Sequence, residues 1–231
     1  MSVMSSDEIL LSRLPFFAQL QHEELQELSG RLKKRTYRPG ETIFHKDDAG
    51  TTMYIINEGT VKVSVPSEVG TEMILSILSS GDFFGELSLF DGKPRSATVT
   101  SSGTTEVFVL HREDFIDFVS KHPKVSLQII SALSSRIRRT DTLVEDVVFL
   151  DIPARLAKKL LELSRSHGKK LPTGSIEIDL RLTQQDIANM LGTTRESVNR
   201  QLVAFQERGF ISIDRQRITV IKPGELEKRI Y

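Results

Sequence analysis

The 231-residue chain reads as an α+β protein: an N-terminal β jelly-roll barrel, one long helix, and a C-terminal winged helix-turn-helix. Three observations predict this. Short period-two segments punctuated by glycine fill residues 36–110, a stretch of helical period without Gly or Pro runs over 124–150, and two capped helices around Gly192 precede a hairpin.

Ahead of the barrel, residues 23–29 form a short amphipathic helix, with Gly30 after its last turn. The barrel strands are residues 42–44, 53–56, 60–65, 73–78, 97–100 and 106–110. Val61, Val63 and Val65 face one way and Lys62 and Ser64 the other, and Asn57-Glu58-Gly59 turns the chain into this strand. Many short strands, closely spaced, close into a barrel or jelly roll.

After Pro123, which suits a helix start, one helix is expected to run to about Leu150. Ile130, Leu133, Ile137, Thr140, Val144 and Val147 recur at spacings of three and four, the a/d pattern of a two-stranded coiled coil. Arg136, Arg138, Arg139, Glu145 and Asp146 flank that seam. The stripe either packs on its own barrel or pairs with a second copy. A helix of about 27 residues spans roughly 40 Å and overhangs a small domain, which favours a homodimer. Asp151-Ile152-Pro153 breaks the helix. The expected domains are 1–122 (barrel), 123–151 (dimerisation helix and hinge) and 152–231 (winged helix-turn-helix).

In the last domain, residues 154–165, 183–191 and 194–207 read as helices and 211–221 as a hairpin around Asp214-Arg215-Gln216-Arg217. Thr183-Gln184-Gln185-Asp186 supplies a hydroxyl cap. Thr193-Thr194-Arg195-Glu196 fits a capping box in which Thr193 bonds the third amide and Glu196 reaches back. Gly192 takes the tight turn, small Ala188 lets the helices cross closely, and Ile187, Leu191, Val198 and Leu202 supply the shared contacts. This arrangement points to double-stranded DNA, with the second helix in the major groove. Arg195, Glu196 and Arg200 are the base-reading candidates, because Arg forks onto guanine O6 and N7 and Glu accepts from cytosine N4. Thr183, Gln185, Thr194 and Ser197 would hold phosphates. The plain alternative is an i,i+4 Glu196–Arg200 pair on an ordinary surface helix, worth about 0.2–0.5 kcal/mol.

The barrel carries a second constellation, Gly81-Asp82-Phe83-Phe84-Gly85-Glu86-Leu87-Ser88-Leu89, then an Asp91-Gly92-Lys93-Pro94 turn and Arg95-Ser96-Ala97-Thr98. An Arg in an apolar segment beside a hydroxyl, with a Gly and a carboxylate just before, suits a sugar phosphate. Gly85 admits the ligand to backbone amides, Arg95 offers a fork, Ser96 donates once more, and Glu86 accepts from a ribose hydroxyl. On these residues alone, a structural Glu86–Arg95 ion pair is an equally good reading.

The string Phe84-Gly85-Glu86-Leu87-Ser88-Leu89 with Pro94-Arg95-Ser96-Ala97 resembles the phosphate-binding cassette of the Crp–Fnr superfamily, cyclic AMP receptor protein branch. Phe149-Leu150-Asp151-Ile152 and Arg195-Glu196-Ser197-Val198-Asn199-Arg200 extend the resemblance over residues 14–220. The resemblance implies that Glu86 binds ribose and Arg95 and Ser96 the cyclic phosphate, with Gly85, Leu87 and Ala97 at the pocket. It also implies that Thr140 and Asp141 contact the base, and that the protein is a homodimeric regulator meeting RNA polymerase at a TGTGA-like palindrome. The cyclic AMP receptor has Ser where this chain has Asp141; a carboxylate only accepts, so it could meet adenine's amino group or guanine's N1–H and N2. Cyclic AMP is the expected effector, with cyclic GMP or a cyclic dinucleotide behind it. A regulator competent without any effector is the alternative.

Composition narrows the classes further. With no Cys, there is no disulfide framework, Cys-ligated zinc or iron–sulfur centre, or thiol nucleophile, so the iron–sulfur branch of the superfamily is excluded. The five His leave haem-sensing relatives open. A cupin-type metalloenzyme fares badly, since His45 and His111 are isolated; no metal and no enzymatic activity are expected. No apolar run approaches a membrane span and residues 1–7 lack signal-peptide character, so a cytoplasmic location without membrane partners is expected. The net charge of zero conceals an asymmetry: residues 1–151 carry 16 Lys+Arg against 22 Asp+Glu, and residues 152–231 carry 15 against 9. The basic half holds the reading helix.

Overall fold

The computed structural model describes residues 4–14, 17–67 and 71–230. Two compact units divide the chain, Met1–Gly70 with Ile74–Arg138 and Thr71–Met73 with Arg139–Tyr231, so the division falls inside the long helix rather than at its end.

The first unit opens with α1 (Ser6–Arg13), whose capping box pairs Ser5 and Glu8, and α2 (His22–Ser29). Then follow β1 (Lys33–Tyr37), β2 (Thr42–Phe44), β3 (Thr52–Glu58), β4 (Thr60–Pro66), β5 (Glu72–Ser79), β6 (Phe83–Phe84), α3 (Glu86–Asp91), β7 (Thr98–Ser101), β8 (Thr105–His111), α4 (Arg112–Lys121) and α5 (Lys124–Phe149). Two four-stranded sheets form the jelly roll, in the orders β1-β8-β3-β6 and β2-β7-β4-β5.

Strand alternation sorts the core into two layers. Tyr54 and Ile56 of β3 and Val107 and Val109 of β8 join Val61, Val63 and Val99 inside the barrel. Met53, Ile55, Phe108 and Leu110 point the other way, onto Leu11, Leu14, Phe17, Leu25, Leu28, Phe115 and Phe118 of the helical layer. Both faces of β3 and β8 are therefore buried, which is why their sequences run continuously apolar. In β4, Val61 and Val63 are buried as expected, but Ser64 is buried too and Val65 only half so. Gly59, at φ +94°, makes the β3–β4 turn; a Cβ there would lie 2.8 Å from Thr105 Cα.

The helix α5 uses two faces. Val125 and Ile129, outside the stripe, are buried in the helical layer, and of the stripe itself Leu133 packs on that layer partly. Ile130, Ile137, Val144 and Val147, by contrast, are 59, 62, 58 and 45% exposed, so most of the seam is open.

The second unit contains α6 (Ile152–Ser166), β9 (Gly168–Lys170), β10 (Ile176–Ile178), α7 (Gln184–Leu191), α8 (Arg195–Glu207), β11 (Ile211–Asp214), β12 (Arg217–Val220) and α9 (Pro223–Glu227). Asp151 ends the hinge as the N-cap of α6, accepting from the Ala154 amide at 2.8 Å. Ile187, Leu191, Val198 and Leu202 are all buried, as the helix-turn-helix pattern demands. The expected hairpin is β11–β12, but it belongs to a four-stranded sheet, β11-β12-β10-β9. Arg215 and Gln216 both take positive φ, the two-residue turn that suits the twist of a hairpin. No helix among the described residues is long and apolar enough to cross a membrane.

Candidate functional site

The barrel site is built around one buried cation. β6 ends at Gly85, which adopts φ +79° to start α3; a Cβ there would lie 2.7 Å from Arg95 Nη1 and 3.2 Å from the Thr52 carbonyl. Gly85 is thus required both for its backbone conformation and for the space it leaves. Gly92, at φ +70°, ends α3, and the chain returns through Pro94 to Arg95. The backbone of Arg95 is pinned to the β2–β3 loop by bonds of 2.8 Å, its amide to the Asp48 carbonyl and its carbonyl from the Asp47 amide.

The guanidinium of Arg95 is turned inward, and the residue is 4% exposed. Nη1 donates to the carbonyls of Thr52 (2.8 Å) and Gly85 (2.7 Å), and Nη2 to Thr52 Oγ1 (3.0 Å). The Phe44 ring lies 4.2 Å from Cζ, within a cluster where Tyr54 and Phe84 stack at 4.9 Å. A Cβ added at Gly50 would be 2.6 Å from the same Cζ, so the guanidinium occupies space that only glycine leaves open. Burial holds its pKa below the usual arginine range, opposed by Tyr54, Glu86 and Asp48, yet an arginine so placed stays charged. Nε, buried, has no partner.

Glu86 is 1% exposed and does not pair with Arg95. Its Oε1 accepts from Arg136 Nη1 at 2.5 Å, while Oε2 is buried without a partner. The simple Glu86–Arg95 ion pair is therefore not what is built. Both residues instead line one pocket, together with Phe84, Gly85, Leu87, Ser96, Ala97 and Arg136. An unsatisfied buried polar atom costs about 1–3 kcal/mol, and Arg95 Nε and Glu86 Oε2 are both in that condition.

Of the expected contacts, Gly85, Glu86, Leu87, Arg95, Ser96 and Ala97 converge on the pocket. Ser96 and Leu87 are exposed at its rim, and Ala97 is buried. Thr140 and Asp141, exposed on α5, are not among its lining residues. Arg136 was missed. It read as a flanking charge of the seam, although it lies four residues before Thr140 and so on the same helix face.

In the second unit, Thr183 caps α7: Oγ1 accepts from the Asp186 amide at 3.0 Å and Asp186 Oδ2 accepts from the Thr183 amide at 2.9 Å. The cap of α8 is Thr194, accepting from the Ser197 amide at 3.3 Å, and not Thr193 with Glu196 reaching back. With two adjacent threonines, the helix starts one residue later, and Glu196 is released to solvent. The Glu196–Arg200 pair does not form either; Arg200 Nη2 donates to Ser197 Oγ at 3.3 Å. Arg195, Glu196 and Arg200 are all exposed near the start of α8, Gln185 is exposed on the first turn of α7, and Ser197 is half-buried. A helix start with exposed Arg and Glu heads, in a basic stretch followed by the β11–β12 hairpin as a wing, has the form of a DNA-reading surface.

Family models match both parts of the chain. A cyclic nucleotide-binding domain matches residues 34–122, and a Crp-like helix-turn-helix domain matches residues 154–229. The chain belongs to the Crp/Fnr superfamily of transcription regulators. Members of this family are DNA-binding regulators, not enzymes. The chain is 32% identical to a CRP-like cAMP-activated global transcriptional regulator of Mycobacterium tuberculosis over 96% of its own length and 99% of the relative's. It is also 32% identical to the cAMP-activated global transcriptional regulator CRP of Salmonella typhimurium, over 80 and 87%. In fold it resembles the c-di-GMP responsive global regulator CLP of Xanthomonas campestris, with a TM-score of 0.76 at 22% identity over 87% of this chain and 99% of that one.

The seat of Arg95 can be tested by stability alone. Gly50→Ala is expected to destabilise the first unit by about 1–3 kcal/mol in urea unfolding, because the methyl displaces a packed guanidinium. In an Arg95→Met background the same substitution should cost at least about 0.5 kcal/mol less. Equal costs in both backgrounds would place the clash elsewhere.

Proposed function

We propose that the protein is a homodimeric transcription regulator whose DNA affinity is set by a cyclic nucleotide, cyclic AMP first. One observation carries this reading: a buried guanidinium without a carboxylate partner and a buried carboxylate oxygen without a donor face the same pocket. A ligand that offers an acceptor to Arg95 and a donor to Glu86 would satisfy both, and a sugar phosphate brings the two together. Arg95 and Ser96 would take the cyclic phosphate, Glu86 a ribose hydroxyl, Gly85, Leu87 and Ala97 the walls, and Thr140 and Asp141 the base. The cAMP-activated relatives of similar length support cyclic AMP. Asp141, an acceptor only, would meet the 6-amino group of adenine.

In this reading residues 1–122 sense, 123–151 dimerise and 152–231 bind DNA. The open apolar stripe of α5 supports pairing with a second copy, and RNA polymerase is the partner downstream. Arg195, Glu196 and Arg200 read each half of a TGTGA-like palindrome, with half-sites about 34–36 Å apart, and Thr183, Gln185, Thr194 and Ser197 hold phosphates. The ligand shifts a pre-existing equilibrium between orientations of the DNA-binding units, by no more than its differential affinity for them.

Calorimetric titration with cyclic AMP, cyclic GMP and a cyclic dinucleotide should give the tightest binding for cyclic AMP, together with a gain in DNA affinity at fixed salt. No heat from any of them and unchanged DNA affinity would leave a regulator that works without nucleotide. Ile137→Glu should convert the dimer to monomer in sedimentation and abolish palindrome binding, since it places a charge in the seam; a dimer that persists would move the interface elsewhere. Arg200→Ala should lose about 1–3 kcal/mol of discrimination at one base pair of each half-site. A uniform loss over all duplexes would make Arg200 a phosphate contact.

A further inference from the structure

Gln184, the first residue of α7, is half-buried, and both of its side-chain bonds go to α8. Nε2 donates to Asn199 Oδ1 at 2.8 Å, and Oε1 accepts from Arg195 Nε at 3.4 Å. Each bond fixes the other. With the amide reversed, its N–H groups would face the Arg195 Nε–H, donor against donor. Arg195 and Asn199 are four residues apart, hence neighbours on one face of α8, and Gln184 ties them together across the turn.

The consequence lies in what each partner has left to offer. Arg195 gives up Nε and keeps both Nη groups, a planar two-pronged donor. Asn199 commits one lone pair of Oδ1 and keeps both Nδ2 donors. We propose that Gln184 is a positioning residue for base reading, which orients the Arg195 fork and turns Asn199 into a donor. Arg195 then fits guanine O6 and N7. Asn199 then offers its Nδ2 donors to an acceptor, thymine O4 or guanine O6, and the paired contact with adenine is disfavoured because its Oδ1 already holds one bond. Asn199 thereby joins the specificity-determining set, and Gln184 acts through it and through Arg195 without touching the bases. The proposal rests on α8 entering the major groove.

The test uses the full chain with saturating cyclic AMP. A duplex selected from a random library by the unmodified protein, and all single-base-pair variants of it, are titrated by fluorescence anisotropy at several salt concentrations. Gln184→Ala should reduce discrimination at two neighbouring base pairs per half-site, by about tenfold at the pair read by Arg195, with non-specific affinity and salt slope unchanged. Gln184→Glu keeps the acceptor for Arg195 and loses the donor for Asn199, so it should restore discrimination at the Arg195 pair alone. A uniform loss with a salt slope smaller by about one would overturn the proposal and make Gln184 a phosphate contact. So would a Gln184→Glu protein indistinguishable from Gln184→Ala. If the unmodified protein selects no sequence, it is the DNA-reading proposal that fails.

Discussion

The barrel is organised around the burial of one charge, the Arg95 guanidinium. Removing an unpaired cation from water is unfavourable, and the fold offsets it with neutral groups. Three hydrogen bonds to Thr52 and Gly85 each contribute about 1.5–3 kcal/mol as bonds to a charged donor, and the Phe44 face adds up to about 2. Each of these partners constrains the sequence in turn. Gly85 and Gly50 must lack a Cβ, the β2–β3 loop must fold back to bond the Arg95 backbone, and Phe44, Tyr54 and Phe84 must form one aromatic wall. None of them carries a negative charge, so the cation is held in place and left unneutralised.

Glu86 follows the opposite rule. Its charge is met, through one oxygen, by Arg136 of α5. This gives α5 a role in the first unit beyond packing. Its inner face supplies Val125 and Ile129 to the helical layer, and one residue a few turns on reaches the carboxylate at the pocket. Any ligand that competes for Glu86 competes with a residue of a helix whose other face is an open apolar stripe. The mechanical consequence is simple. A continuous helix of 26 residues transmits rotation and translation along its length, because its backbone hydrogen bonds resist local change.

What was legible in the sequence follows from which forces leave local patterns. The strands of the barrel core were legible because period-two burial is written into Val61 and Val63 of β4, while β3 and β8, buried on both faces, stand out as continuous apolar runs. β1 was not: Lys33, Lys34, Arg35 and Thr36 are all exposed, and only Tyr37 turns inward, so an edge strand shows no apolar alternation. β9 is Gly168-Lys169-Lys170 and gives no signal either. α4 starts at His111 without a side-chain cap, whereas α1 carries a capping box in Ser5 and Glu8 that was there to be read. At α8, two threonines competed for one cap, and the choice turned on a Glu that instead stays in solvent. Arg136 and Gln184 escaped notice for a common reason. Each acts across elements distant in sequence, on Glu86 and on Arg195 with Asn199, and no local spacing records such a contact.

The two unsatisfied atoms of the pocket also bear on selectivity. Inorganic phosphate would meet Arg95 but leave Glu86 Oε2 without a donor; a free nucleoside would do the reverse. Each would recover only half of the desolvation cost that the empty pocket carries. A cyclic phosphodiester has a single charge spread over two oxygens, with a free ribose hydroxyl held at a fixed distance by the ring closure. A ligand that carries both groups therefore recovers more of that cost than either one alone.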